Sequence, residues 1–126
     1  MEKKTKKPLT RAEMDVMNVL WDASRALTVN EILERYPEPK PAYTTVATFL
    51  KILDAKGYVE HKRKEATGRT FYFSPMLSRE KYITQVVNDV KDTLFGSSAK
   101  SFCSFLIQNE ELSDEDLREI LDLIQN

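Results

Sequence analysis

Tyr43-Thr44-Thr45-Val46-Ala47-Thr48-Phe49-Leu50-Lys51-Ile52-Leu53-Asp54-Ala55-Lys56-Gly57-Tyr58-Val59 decides the fold of this chain. Val46, Phe49, Leu50 and Leu53 recur at i, i+3, i+4 and i+7, so one helical face is apolar. At 100° per residue the opposite face carries Thr44, Thr48, Lys51 and Ala55. Short hydroxyls, a methyl and one cation make a surface that fits closely against an anionic groove. Gly57 suits the residue just past a helix end. The spacing predicts a helix over about 42–56.

Upstream, Thr10-Arg11-Ala12-Glu13 and Thr28-Val29-Asn30-Glu31 both have the form of a capping box. The first predicts a helix over about 11–23, burying Met14, Met17, Leu20 and Trp21. The second predicts a helix burying Val29, Ile32, Leu33 and Tyr36. Ala26-Leu27 between them is a connector or a brief strand. Pro37, Pro39 and Pro41 then force an extended or turning link. Downstream, residues 58–64 and 70–74 read as two strands around Glu65-Ala66-Thr67-Gly68-Arg69. Three helices and a hairpin are the order of a winged helix-turn-helix domain.

That order points to duplex DNA as partner. A major groove admits one helix. Thr44, Thr45 and Thr48 are placed to meet phosphates or thymine methyls, Ala47 a thymine methyl, and Lys51 guanine or phosphate. Tyr43, at the helix start, is placed to bond a phosphate. Lys62, Arg63, Lys64 and Arg69 surround the hairpin tip and suit phosphate contact. A charged edge also guards a hairpin against aggregation. The lysines at 3, 4, 6 and 7 are either an arm on DNA or a solvated tail.

Ser78 caps a fourth helix, about 79–94, with Ile83, Val86, Val87, Val90 and Leu94 on one stripe. Gly96-Ser97-Ser98 breaks it. A fifth helix, about 99–108, carries Phe102, Cys103, Phe105, Leu106 and Ile107. A sixth, opened by Ser113-Asp114-Glu115-Asp116, carries Leu117, Ile120, Leu121 and Ile124. The expected organisation is therefore mainly α with a small β-hairpin: a winged helix domain over 1–77 and a helical dimerisation domain over 78–126. So small a helical unit is marginal alone. Its stripes (Ile83, Val86, Val87, Val90, Leu94, Phe102, Phe105, Leu106, Leu117, Ile120, Leu121, Ile124) are expected to close on a second copy, most simply as a twofold homodimer.

Charge divides in the same place. The net charge is −1. Residues 1–78 hold fourteen Lys and Arg against ten Asp and Glu, and residues 79–126 hold five against ten. A cationic front and an acidic rear suit different partners. A hydrophobic share of 41% with 31% charged residues fits a globular protein. No apolar run approaches the roughly 20 residues of a membrane span, and the cationic start lacks a following apolar segment. The expectation is a cytoplasmic protein. One cysteine excludes an internal disulfide and a thiolate zinc cage. Cys103, among apolar neighbours, is expected to be a small buried hydrophobe. His61 is expected to be a surface or packing residue. No phosphate-binding glycine loop, paired-carboxylate cleft or nucleophile–base pair is visible. No catalytic residue, cofactor, metal or small-molecule ligand is expected.

Leu9-Thr10-Arg11-Ala12-Glu13-Met14-Asp15-Val16-Met17-Asn18-Val19-Leu20-Trp21 resembles the opening of the penicillinase and methicillin-resistance repressors (the BlaI/MecI family). Thr44-Thr45-Val46, Leu53 to Val59 and Asn109-Glu110-Glu111-Leu112-Ser113 resemble it too. The resemblance implies a dimeric transcriptional repressor on a palindromic operator, with a helical dimerisation domain. It also implies a membrane metalloprotease sensor that responds to a β-lactam, and so a link to antibiotic resistance. The repressor would then be cut in its C-terminal part. Thr45 and Thr48 fall on threonines of the family's recognition helix. Ala47 and Ile52 stand where the resistance repressors have arginines. The family's cleaved Asn–Phe bond falls on Phe105-Leu106, the candidate cleavage site, where the asparagine is absent. Copper-responsive relatives carry paired Cys-x-Cys motifs that this chain lacks. The competing function is a winged helix used as a protein-interaction adaptor, without sequence-specific DNA binding.

Overall fold

Reciprocal side-chain to backbone bonds start the first two helices. The structure, a computed structural model, describes residues 8–109 and 112–125, with side chains to residue 123. Helix α1 (Arg11–Ala23) opens where the Glu13 amide donates to Thr10 Oγ1 at 3.2 Å and the Thr10 amide donates to Glu13 Oε1 at 3.0 Å. Helix α2 (Val29–Glu34) repeats the device with Thr28 and Glu31. It is shorter than its apolar spacing suggests. Lys40 Nζ donates to the Leu33 and Glu34 carbonyls and closes the helix before the prolines. Tyr36 lies past the helix end, yet it still packs against the core.

Helix α3 (Tyr43–Lys56) ends at Gly57, whose φ of 86° is left-handed. A side chain is strained in that conformation, so glycine is the residue that fits. Strands β1 (Val59–Arg63) and β2 (Phe71–Pro75) pair antiparallel, with His61 opposite Phe73 and Lys62 opposite Tyr72. Leu27 adds an isolated bridge to Phe73, its amide donating at 2.9 Å and its carbonyl accepting at 2.8 Å. The brief strand suggested at Ala26-Leu27 is this bridge.

Val16, Met17, Leu20, Leu27, Ile32, Val46, Leu50, Leu53, Tyr58 and Val59 are essentially solvent-free and form the core. Each such aliphatic side chain stabilises the fold by about 1.5–3 kcal/mol. Met14, Trp21, Leu33 and Phe49, expected inside, pack on the core but are only partly buried. For Trp21 the reason is polar: its indole N–H donates to the Leu77 carbonyl at 3.0 Å and Arg79 lies over its ring. Glu13 is buried instead, at 4% exposure.

By contacts the chain divides into Met1–Ile83 and Thr84–Asn126. The division falls within helix α4 (Arg79–Leu94), a few residues beyond the expected 77/78 boundary. The first turn of α4 belongs with the first unit because Tyr82 is buried there. Its ring lies 5.7 Å from that of Trp21 and 5.9 Å from that of Tyr58. Arg79 also bonds Asp22 at 2.7 Å.

The second unit holds the rest of α4, helix α5 (Ala99–Asn109) and helix α6 (Asp114–Gln125). The Phe95 ring lies 5.3 Å from that of Phe102 and 5.6 Å from that of Phe105. Ser113 and Asp116 cap α6 reciprocally. No residue of α5 is buried. Cys103 is exposed, contrary to expectation, on a helix none of whose residues is fully buried. Of the expected dimer stripes, Ile83, Val86, Leu94, Phe105, Leu106, Ile120 and Leu121 are exposed. Val87, Val90, Phe102 and Leu117 are half-buried. The Ile124 side chain and the lysines at 3, 4, 6 and 7 lie outside the described residues. Among the described residues, no helix is long and apolar enough to cross a membrane.

Candidate nucleic-acid interface

Burial of Val46, Leu50 and Leu53 turns the other side of α3 to solvent. Tyr43, Thr44, Thr45, Thr48 and Lys51 are exposed, and Ala47 is half-buried at the edge of that face. The Thr48 hydroxyl donates to the Thr44 carbonyl at 2.9 Å. Its proton is therefore spent within the helix, and Thr48 presents a methyl and acceptor lone pairs. Thymine methyl contact suits that better than phosphate contact.

Beside α3 the hairpin closes one side of a groove of about 530 Å³. Tyr43, Ala47 and Lys51 form the helix wall, Lys64, Arg69 and Thr70 the hairpin wall, and Thr28 and Asn30 line it from α2 and its cap. Five of the ten expected contact residues thus share one groove. Thr44, Thr45 and Thr48 stay on the open face of α3, and Lys62 and Arg63 stay exposed on β1. The sequence pattern missed Asn30 and Thr70. Asn30 sits within a capping box, where its neighbours explain the local pattern without it. Thr70 sits beside the turn.

The electrostatics distinguish these cations from the rest. Arg25 pairs with Glu31, Lys56 with Glu13 and Arg79 with Asp22. Among the described residues, Lys51, Lys62, Arg63, Lys64 and Arg69 form no ion pair with a carboxylate. Arg63 donates to the Ala66 carbonyl at 3.3 Å and lies over the Phe71 ring, and Lys64 lies over the Tyr72 ring. Such contacts orient a cation and leave its charge available. A second cavity of about 540 Å³ is lined by Asp15, Asp22 and Glu38 with Arg35 as its cation. Its carboxylates repel phosphate, so of these two cavities charge favours the α3–hairpin groove.

Two contacts fix the end of α3. Lys56 Nζ donates to Glu13 Oε1 at 2.8 Å, and this pair is largely buried. Burial by itself would raise the Glu13 carboxyl, but the bonds from Lys56 and Thr10 outweigh it and hold the group below its usual 4.5. His61 Nδ1 lies 2.7 Å from Asp54 Oδ2, and its ring stacks edgewise on Phe71 at 5.3 Å. His61 therefore ties the hairpin to the last turn of α3, in keeping with a packing role. Tyr36 is pushed up to about 12, first by burial and then by Asp15, so it stays a neutral phenol. Among the described residues, no group of three His, Cys, Asp or Glu is placed to hold a metal ion.

The Penicillinase repressor of Bacillus licheniformis is 24% identical over 118 residues, covering 93% of this chain and 89% of its own length. Among solved structures, Streptococcus pneumoniae FabT in complex with DNA is 19% identical, covering 94% of this chain and 72% of that chain, with a TM-score of 0.47. The zinc-responsive MarR family member ZitR of Lactococcus lactis is 18% identical, covering 99% and 78%, also with a TM-score of 0.47. The model of the Penicillinase repressor family matches residues 9–126, so the chain belongs to that family, one of DNA-binding transcriptional repressors rather than enzymes.

Proposed function

We propose that the chain represses transcription as a homodimer, each winged helix unit occupying one half of a palindromic operator. The observation that carries this is the set of carboxylate-free cations on α3 and the hairpin. A groove holding Lys51, Lys64 and Arg69 with no ion pair among the described residues presents an uncancelled positive field. Duplex DNA, with one charge per about 1.7 Å of axis, is the polyanion that answers such a field. Half-sites about one helical turn apart, or a multiple of that, match two units joined by a twofold axis.

Pairing is supported by apolar surface. Leu94, Phe105, Leu106, Ile120 and Leu121 are each more than a third exposed in the single chain. Contiguous patches of such residues mark interaction sites on soluble proteins. A dimer couples the half-sites, because the second binds at an effective concentration set by the linkage. Anything that splits the C-terminal unit removes that coupling. Release by proteolysis, or by another signal at this unit, follows. Phe105-Leu106, the candidate cleavage site, lies within α5, so a cut there would break the apolar surface that we propose joins the two copies. A membrane metalloprotease sensor is the partner the family suggests for it.

Gel shift and footprinting on the chain's own upstream region test this. A symmetric footprint spanning two half-sites supports it. No complex with that DNA at low salt, or affinity for a protein partner that barely responds to salt, favours the adaptor function instead.

A further inference from the structure

A duplex that takes α3 in its major groove would bring one strand of backbone to the groove between α3 and the hairpin. A helix lying in a major groove, with a hairpin over the adjacent minor groove, must straddle the phosphate ridge that separates the two. Lys51 faces that cleft from the helix, and Lys64 and Arg69 face it from the hairpin. Cations on both walls supply charge, but a charge clamp is tolerant of position. Fixing the ridge along its length needs a directional group. Asn30 offers one: it lines the same groove from α2, is exposed, and makes no side-chain bond to another described residue.

Resting on the DNA-binding function above, we propose that Asn30 is a positioning residue whose side-chain amide donates to a phosphate oxygen of this ridge. It carries no sequence information. It sets the register of α3 in the groove, so that the exposed threonines meet base edges. Thr70, on the hairpin wall, faces the ridge from the opposite side.

The test is fluorescence anisotropy of the full chain on its operator and on random duplex DNA across a salt series. Asn30→Ala weakens both DNAs by roughly tenfold per bound protomer, the worth of a hydrogen bond to a charged group. The salt slope stays at the wild-type value, because no cation is removed. Asn30→Ser, which keeps a donor, recovers part of the loss. Melting temperature is unchanged in both, since the residue is exposed and its side chain bonds no described residue. Asn30→Ala binding as tightly as wild type, while Lys64→Ala is weakened, overturns the assignment and leaves DNA binding standing. A lowered melting temperature that accounts for the lost binding also overturns it. Wild-type protein with no salt-dependent affinity for either DNA overturns the DNA-binding function itself.

Discussion

Glu13 joins the start of α1 to the end of α3, and its removal is expected to loosen the recognition helix. The carboxylate has two partners: the Thr10 amide at 3.0 Å and the Lys56 ammonium at 2.8 Å. The Glu13 side chain is 5% exposed and that of Lys56 is 19% exposed. Glu13→Gln keeps the shape and an oxygen for Thr10, but leaves a mostly buried cation beside a neutral amide. Breaking a buried pair from one side costs about 3–5 kcal/mol. Lys56 retains some water and the Pro8 carbonyl at 3.4 Å, so the expected loss is about 2–3 kcal/mol. For a unit of this size that lowers the midpoint by roughly 10–20 °C. The assay is thermal and urea unfolding at pH 7 of wild type, Glu13→Gln, Lys56→Met and the double variant. A coupling energy near zero, with the two losses adding, would show that Glu13 and Lys56 do not stabilise each other. The pH dependence gives a second reading. The native carboxyl lies below its unfolded value of 4.5, so the unfolded chain binds the proton first. The stabilisation is therefore complete above about pH 4.5 and lost as pH falls through the depressed native value. Over that window the gap between wild type and Glu13→Gln closes.

Other substitutions separate stability, DNA contact and pairing. Leu50 has no exposed surface, so Leu50→Ala is expected to cost about 2–5 kcal/mol in urea unfolding. Charge reversal at Lys64 and Arg69 should weaken operator binding more than Lys51→Ala, with unfolding unchanged; equal binding would remove the hairpin from the interface. Leu121, half exposed on α6, belongs to the proposed dimer face. Leu121→Asp should shift sedimentation at micromolar concentration from dimer to monomer while the far-ultraviolet helix signal persists.

Where a single periodicity governed, the sequence was transparent. The limits of α1 and α4, both capping boxes, the left-handed Gly57 and the hairpin all follow from local chemistry that tertiary contacts did not override. Burial was harder to read. Glu13 looks like a surface capping residue, yet Lys56, 43 positions later, draws it inside. Tyr36 sits at helical spacing but beyond the helix, because Lys40 caps α2 early. Cys103 has apolar neighbours in sequence and solvent in space, since no residue of α5 is buried in the single chain. At the interface, residue type revealed the helix face and the hairpin cations. The groove that joins half of them, and admits Asn30, depends on how α2 meets the hairpin through the Leu27 bridge. No local pattern encodes that meeting.

Repression by this chain requires that the carboxylate-free cations of α3 and the hairpin bind DNA phosphates. The direct measurement is the slope of log affinity against log salt for the upstream duplex, wild type against the Lys51→Ala, Lys64→Ala, Arg69→Ala triple variant. Each lost phosphate contact flattens the slope by about 0.9, so the triple variant should be flatter by roughly 2.7 per bound protomer, with its melting temperature retained. Equal slopes for the two proteins would contradict the account.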